Sequence, residues 1–288
     1  MMNIRQALNK AEQALREQGI DNPRLDAEVI MAFCLGVERS VLFHEAGSEL
    51  PERQARRFDA LIARRLDREP VAYITGRKEF WSLDFTVDRH VLIPRPETEL
   101  LVEKVLECTG MKDGPLTLLE VGTGSGAVAV VIAIERPRAS LVAVDISPAA
   151  LRMARLNARR HGVTDRVHFV CGNLCEPLTG KFDIVLSNPP YIAEEEFSHL
   201  ADDVRIFEPK AALVSGKEGT EMHRSIIDSS AGCLTGGGWL FMEMGAGQHK
   251  RIGSMLKQDG RYDGIVFYRD LAGIVRVVSA RRKGTADG

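Results

Sequence analysis

The chain lacks the marks of several large protein classes. It has no unbroken apolar run near the roughly 20 residues that span a bilayer. Its first residues, MMNIRQALNKAEQALREQG, carry charge throughout and have no apolar centre of the kind a secretion signal needs. A soluble, cytoplasmic protein without a membrane partner is the expectation. The five cysteines include no CxxC pair and have no histidine cluster beside them. They read as reduced thiols, and no metal is expected. A net charge of −2 over 288 residues gives little sequence-independent hold on nucleic acid. No internal repeat or low-complexity segment is present.

Two textures divide what remains. From Asn3 to Gly19, residues Ile4, Leu8, Ala11 and Leu15 recur at helical spacing, and Gly19 is a natural stop. Asn22-Pro23 opens a second helix that runs to Leu35-Gly36. Shorter and longer helices are expected over 39–45 and 51–68. The last presents alternating charge (Arg56, Arg57, Asp59, Arg64, Arg65, Asp67), which suits either solvation or a docking surface. Residues 1–72 therefore read as a helical bundle. Residues 73–95 are aromatic and β-branched with polar breaks and read as a β-hairpin linker. A larger domain then covers 96–282, and 283–288 reads as a flexible tail.

In the larger domain the pattern is strand, turn, helix, repeated. Strands are expected at 118–122, 141–146, 167–171, 182–187 and 239–244, with two more near 264–268 and 274–279. Most lack period-two alternation, as strands covered on both faces do. The last pair is joined only by RDLAG, too short for a helical crossover, so it should be antiparallel. The expected fold class is α/β: a seven-stranded, doubly wound, Rossmann-like sheet with a small helical domain and a connecting hairpin.

The run LLEVGTGSGAVAVVIA is strand, glycine loop, helix. Gly122, Gly124 and Gly126, with Thr123 and Ser125 between them, allow a ligand to approach the backbone, and the following helix offers free N–H groups. About twenty residues on, Asp145 ends the next strand, where a carboxylate can take both hydroxyls of a ribose. This set suits an adenosine-containing cofactor. It fits S-adenosylmethionine (SAM) and also the GxGxx[GA] pattern of dinucleotide enzymes. Glu120 favours SAM, because a carboxylate there suits an ammonium and would face a pyrophosphate badly. The antiparallel last strand points the same way.

The strand FDIVL ends in Ser187-Asn188-Pro189-Pro190-Tyr191. Two prolines stop the ladder and stiffen the backbone. The end of this strand should lie at the switch point of the sheet, beside the cofactor's reactive end. There the Asn188 side-chain oxygen and the Pro189 carbonyl can accept the two N–H bonds of a planar NH2 group. That would hold the nitrogen in line with an S–CH3 bond and favour the charge it gains in transfer. Tyr191 can lie flat on the acceptor. The clamp alone does not choose between an adenine amino group, a cytosine amino group and a carboxamide. His90, His161 and His168 fall in no motif and read as ordinary surface or strand histidines.

Taken in order, LIPRPETELLVE, GTGSGAVAV, VDISPAAL, SNPPYI, EPKAAL and DLAGI resemble the bacterial peptide chain release factor glutamine methyltransferases. The resemblance covers essentially the whole chain. It implies methyl transfer from SAM, which leaves as S-adenosylhomocysteine, to the side-chain amide nitrogen of the glutamine in the Gly-Gly-Gln loop of release factors. It implies that the N-terminal bundle helps hold that protein substrate. It places the cofactor on Gly122 to Gly126, Asp145, the segment around Asn173 and Leu174, and Asn188. It places the substrate amide on Asn188, Pro189, Pro190 and Tyr191. Arg95, Pro96, Glu97 and Thr98 would close over the methionyl end. Two positions depart from the family pattern: Asn173 stands where an acidic residue is usual, and Leu174 where a bulky aromatic often follows. A monomer without direct sequence-specific nucleic-acid contact is expected. The rival readings are a ribosomal-protein glutamine methyltransferase and a nucleic-acid amino (adenine) methyltransferase. A cofactor-binding module without activity leaves the clamp unexplained, and an NAD-dependent oxidoreductase would bind nicotinamide.

Overall fold

A computed structural model describes residues 2–110 and 114–284. Of the expected flexible tail at 283–288, residues 285–288 lie outside that range. The chain divides into two compact units: Met1–Arg77 with Ala201–Phe207, and Lys78–Leu200 with Glu208–Gly288.

The first unit is helical. Helix α1 (Ile4–Glu17) starts from a capping box, in which the Asn3 side chain accepts from the Gln6 N–H and the Gln6 side chain accepts from the Asn3 N–H. Helix α2 (Pro23–Leu35) has proline at its first turn and ends on Gly36 in the left-handed conformation. The short α3 (Val41–His44) and the long α4 (Glu52–Leu66) follow. Leu8, Leu15, Ile30, Met31 and Phe58 are buried between them. The charged face of α4 is not wholly solvated. Arg65 is buried and its Nε donates to Asp26 Oδ2 at 2.7 Å. A one-turn helix α5 (Val71–Thr75) takes residues whose composition suggests strand. Pro70 before it and Gly76 after it outweigh the β-propensity of so short a stretch.

The hairpin is β1 (Arg77–Phe80) and β2 (Leu83–Thr86), and all but Arg77 belongs to the second unit. Its turn residues Trp81 and Ser82 both have positive φ, 55° and 56°. That matches the twist of a two-residue hairpin but strains side chains other than glycine. Tertiary bonds hold the strain: Trp81 N donates to Glu99 and its Nε1 to Glu135. Buried Asn157 accepts from Thr86 N and donates to the carbonyls of Thr86 and Ser125, so the hairpin is tied to the glycine loop.

After α6 (Glu99–Gly110) come β3 (Leu116–Val121), α7 (Ala127–Glu135), β4 (Ala139–Asp145), α8 (Pro148–Arg160), β5 (Val167–Cys171), β6 (Phe182–Ser187), β7 (Leu234–Glu243), β8 (Tyr262–Arg269) and β9 (Val275–Arg282). These strands form one seven-stranded sheet in the order β5-β4-β3-β6-β7-β9-β8. The strands from β3 to β7 run parallel, while β9 lies antiparallel between β7 and β8. This is the doubly wound sheet with an antiparallel last pair that the strand pattern predicts. Helix α7 is buried along its whole face because AVAVVIA carries no polar side chain. The order reverses between β3 and β6, so their carboxyl ends flank the crevice where such sheets bind ligands. No described helix is long and apolar enough to cross a membrane.

Candidate active site

The carboxyl ends of β3, β4 and β6 open onto one cavity of about 270 Å³. The glycine loop forms its floor. Gly122 N and Thr123 N both donate to the Val144 carbonyl at 2.8 and 3.0 Å, which bends the chain over the end of β4. Gly122, Gly124 and Gly126 all have positive φ. They do different work. A Cβ at Gly122 or Gly124 would meet nothing within 4 Å, and both line the cavity. A Cβ at Gly126 would lie 2.9 Å from the Ala154 Cβ. Gly126 is therefore not on the wall. It lets α7 start hard against α8.

Asp145 lines the same cavity with a set orientation. Its Oδ2 accepts from Gly124 N at 2.8 Å and its Oδ1 from Ser147 N at 2.9 Å. Each oxygen keeps acceptor capacity for a vicinal diol. Beyond it, Asn173 and Leu174 line the wall, Leu174 at φ 50°. Asn173 Nδ2 donates to Glu176 Oε1 at 2.7 Å, so the amide presents its oxygen as the remaining acceptor. Ile146, 68% exposed, supplies an apolar face beside them.

Glu120 is the last residue but one of β3 and only 3% exposed, yet it reaches the cavity wall. Thr123 Oγ1 donates to its Oε2 at 2.6 Å. Burial pushes its carboxyl up to about 8, against the pull of that hydrogen bond. Such an acid is poised to ionise when a cation is set beside it.

Asn188, Pro189 and Pro190 form the facing wall. Ser187 Oγ donates to the Val121 carbonyl at 2.7 Å, pinning the end of β6 to the end of β3. Past the prolines, Ile192 N donates to Leu213 O and Ser215 N donates to Ile192 O, both at 2.9 Å, so the segment 191–194 is laced to 213–216. Gln248 Nε2 holds the Tyr191 carbonyl at 2.7 Å. The Tyr191 ring lies behind the cavity wall, toward Gly245. Burial pushes its phenol up to about 12, so it stays neutral. Asn188 itself donates from Nδ2 to Thr98 Oγ1 at 3.0 Å.

Thr98 ends a one-turn 3-10 helix, Pro96–Thr98, in the segment PRPETE. Arg95 and Thr98 line the cavity, whereas Pro96 and Glu97 are exposed and do not. Arg95 Nη2 meets buried Glu208 Oε1, and Ile93 N donates to Glu208 Oε2 at 3.1 Å. That joins PRPETE to EPKAAL. His90 also touches the cavity, His161 bonds the Asp84 carbonyl, and His168 pairs with Val142 in the sheet. The cavity thus gathers Glu120, the loop from Gly122 to Ser125, Asp145, Asn173, Leu174 and Asn188 to Pro190. Sequence reasoning passed over Glu208, Asn157 and Gln248. The signal for Glu208 was a charged residue inside EPKAAL. Gln248 and Asn157 carried none, since both act through contacts far along the chain.

Residues 6–76 match the family model described as PrmC N-terminal domain, and residues 96–218 the one described as Methyltransferase small domain. Over 278 residues the chain is 41% identical to a release factor glutamine methyltransferase of Nitratidesulfovibrio vulgaris, covering 96% of this chain and 94% of that protein. It is 40% identical over 283 residues to the Coxiella burnetii protein of the same name, covering 98% of this chain and 100% of that one. A methyltransferase structure from Pyrococcus furiosus shares the fold, with a TM-score of 0.53 at 20% identity over 77% of this chain and 98% of that chain. Identity sustained through the helical unit and through the sheet that carries the cavity places the chain in one group: it belongs to the release factor glutamine methyltransferase family.

Proposed function

We propose that this enzyme transfers the methyl group of SAM to the side-chain amide nitrogen of the glutamine in the Gly-Gly-Gln loop of peptide chain release factors. The observation that carries this reading is the single cavity shared by the glycine loop, Asp145 and the Asn188-Pro189-Pro190 segment. The near-full-length kinship with release factor glutamine methyltransferases supports the substrate class.

The residues fit the cofactor. Gly122 and Gly124 leave open space where side chains would stand. The Asp145 oxygens suit the two ribose hydroxyls. Asn173, with its NH2 end on Glu176, offers the acceptor that an adenine amino group needs. The departure from an acid at this position therefore keeps the acceptor. Leu174 and Ile146 offer apolar faces to the adenine ring, and Glu120 offers a carboxylate to the ammonium. When bound, SAM supplies an electrophilic methyl carbon.

The chain's own residues then act on the acceptor. A carboxamide nitrogen is a poor nucleophile because its lone pair is delocalised. Asn188 Oδ1 and the Pro189 carbonyl accept its two N–H bonds and orient the nitrogen. They also favour the positive charge that the nitrogen gains as its new bond to carbon forms. Once methylated, the cationic nitrogen is strongly acidic and gives one of those protons to water, so no strong base is needed. The rigid prolines keep the two acceptors from relaxing before the reaction.

Incubation with methyl-labelled SAM and purified release factor, with peptide mapping, tests the reading. Label on the Gly-Gly-Gln glutamine is the expected result. Label only on a ribosomal protein or on DNA would overturn the substrate assignment.

A further inference from the structure

A carboxylate at position 173 could accept a hydrogen bond with either oxygen. The amide that stands there has one acceptor end, Oδ1, and one donor end, Nδ2. An amino group on the purine ring needs the acceptor. With the amide reversed, two NH2 groups would face each other.

Glu176 makes the choice. Asn173 lines the cavity and Glu176 does not. Asn173 Nδ2 donates to Glu176 Oε1 at 2.7 Å, the length of a charge-assisted bond. The nitrogen end is thereby engaged, and the oxygen is the end left for a ligand. The turn that joins the two residues is tightly built. Gly172 N donates to the Asp145 carbonyl and Glu176 N to the Asn173 carbonyl, both at 3.1 Å. A Cβ at Gly172 would lie 2.5 Å from Pro177 Cγ, so the turn closes on itself. Cys175, beside Glu176, is 6% exposed and packs into the core of the sheet domain. The backbone thus sets Asn173 and Glu176 side by side at the rim of the cavity.

We propose that Glu176 is a positioning residue for nucleobase selection: it sets the amide of Asn173 with Oδ1 toward the purine 6-position, so that the site takes a 6-amino purine and turns away a 6-oxo one. Asn173 makes the contact, and Glu176 acts only through it. This rests on the reading that the cavity binds SAM with its adenine ring beside Asn173.

The test measures by calorimetry the Kd of the cofactor-free protein for S-adenosylhomocysteine (SAH) and for its 6-oxo counterpart, S-inosylhomocysteine. The parent should prefer SAH by about 30-fold or more. Glu176→Ala frees the amide to turn, and the preference should fall about tenfold, the worth of one orienting hydrogen bond. In an Asn173→Ala background, Glu176→Ala should leave the preference unchanged. Both side chains are exposed, so these truncations leave the core intact. A residue that only shaped the turn would move both Kd values together and leave their ratio fixed. The proposal is overturned if the parent shows no preference, if Glu176→Ala keeps it, or if it changes as much without Asn173 as with it. Failure of the parent to bind SAH at all would overturn the proposed function, and this inference with it. Binding of SAH with the preference intact in Glu176→Ala would overturn this inference alone.

Discussion

Arg95 Nη2 lies 2.5 Å from Glu208 Oε1 across 113 positions of the chain. The pair converts two segments that flank the cavity, 94–98 and 208–212, into one wall. Glu208 is 5% exposed and also accepts from Ile93 N, so its carboxylate anchors both backbone and side chain of residues 93–95.

Removing Glu208 should therefore loosen that wall. Glu208→Ala leaves the Ile93 N–H without this acceptor and the Arg95 charge without this partner. It should cost about 2–3 kcal/mol, somewhat below the roughly 3–5 kcal/mol of a fully buried broken pair, because Arg95 keeps access to water. Urea unfolding would measure this. Because Arg95 and Thr98 line the cavity, SAM affinity should fall as well, and calorimetry would read it.

Asn188→Ala removes one of the two acceptors proposed to hold the substrate NH2 group. The expected drop in kcat is about 100-fold or more, in line with the loss of a single preorganised transition-state contact. Cofactor affinity should change little. Single-turnover methylation beside equilibrium binding separates the two, and normal turnover by this variant would remove Asn188 from the mechanism.

The two glycine classes in the loop should separate by experiment. Gly126→Ala forces a Cβ to 2.9 Å from the Ala154 Cβ at a positive φ, and should cost about 3 kcal/mol of stability or more. Gly124→Ala meets open space, so only the backbone strain of about 1–2 kcal/mol remains. Its main effect should be on cofactor affinity, since the new methyl group intrudes on the cavity. Melting temperature and SAM titration on both variants check this.

Glu120 gives a pH signature. Its carboxyl stands at about 8 in the folded protein, above the ordinary carboxylate range. The stability it contributes is full below that ordinary range and is lost as pH rises through 8. Glu120→Gln, neutral at every pH, should therefore melt higher than the parent at pH 9 and close to it at pH 5. If the SAM ammonium sits beside Glu120, binding at pH 7 should ionise the acid and release close to one proton. Titration calorimetry in buffers of different ionisation heat measures that release. Proton release equal in parent and variant would place the ammonium elsewhere.

How much of this was legible beforehand varied by residue. Helix α1 was plain from Ile4, Leu8, Ala11 and Leu15, and α2 from its proline start and glycine stop, because spacing and caps are local signals. The seven strands and the antiparallel last pair followed from apolar runs and the shortness of RDLAG. The cavity's Gly122, Gly124, Asp145 and Asn188 were also readable, since each stands at the end of a recognisable strand.

Other facts were decided only by tertiary structure. Residues 71–75 became a helical turn that buries Ile74 in the core of the helical unit, a contact that their β-prone composition does not record. That Gly126 serves helix packing while Gly122 and Gly124 line the cavity depends on Ala154, a residue on another helix. The Arg95–Glu208 pair, the Asn157 tie and the Thr98–Asn188 hydrogen bond join positions 113, 32 and 90 residues apart. Local composition records propensity and period. It does not record which distant polar groups burial will force together, and those pairings orient the side chains on which the proposed chemistry depends.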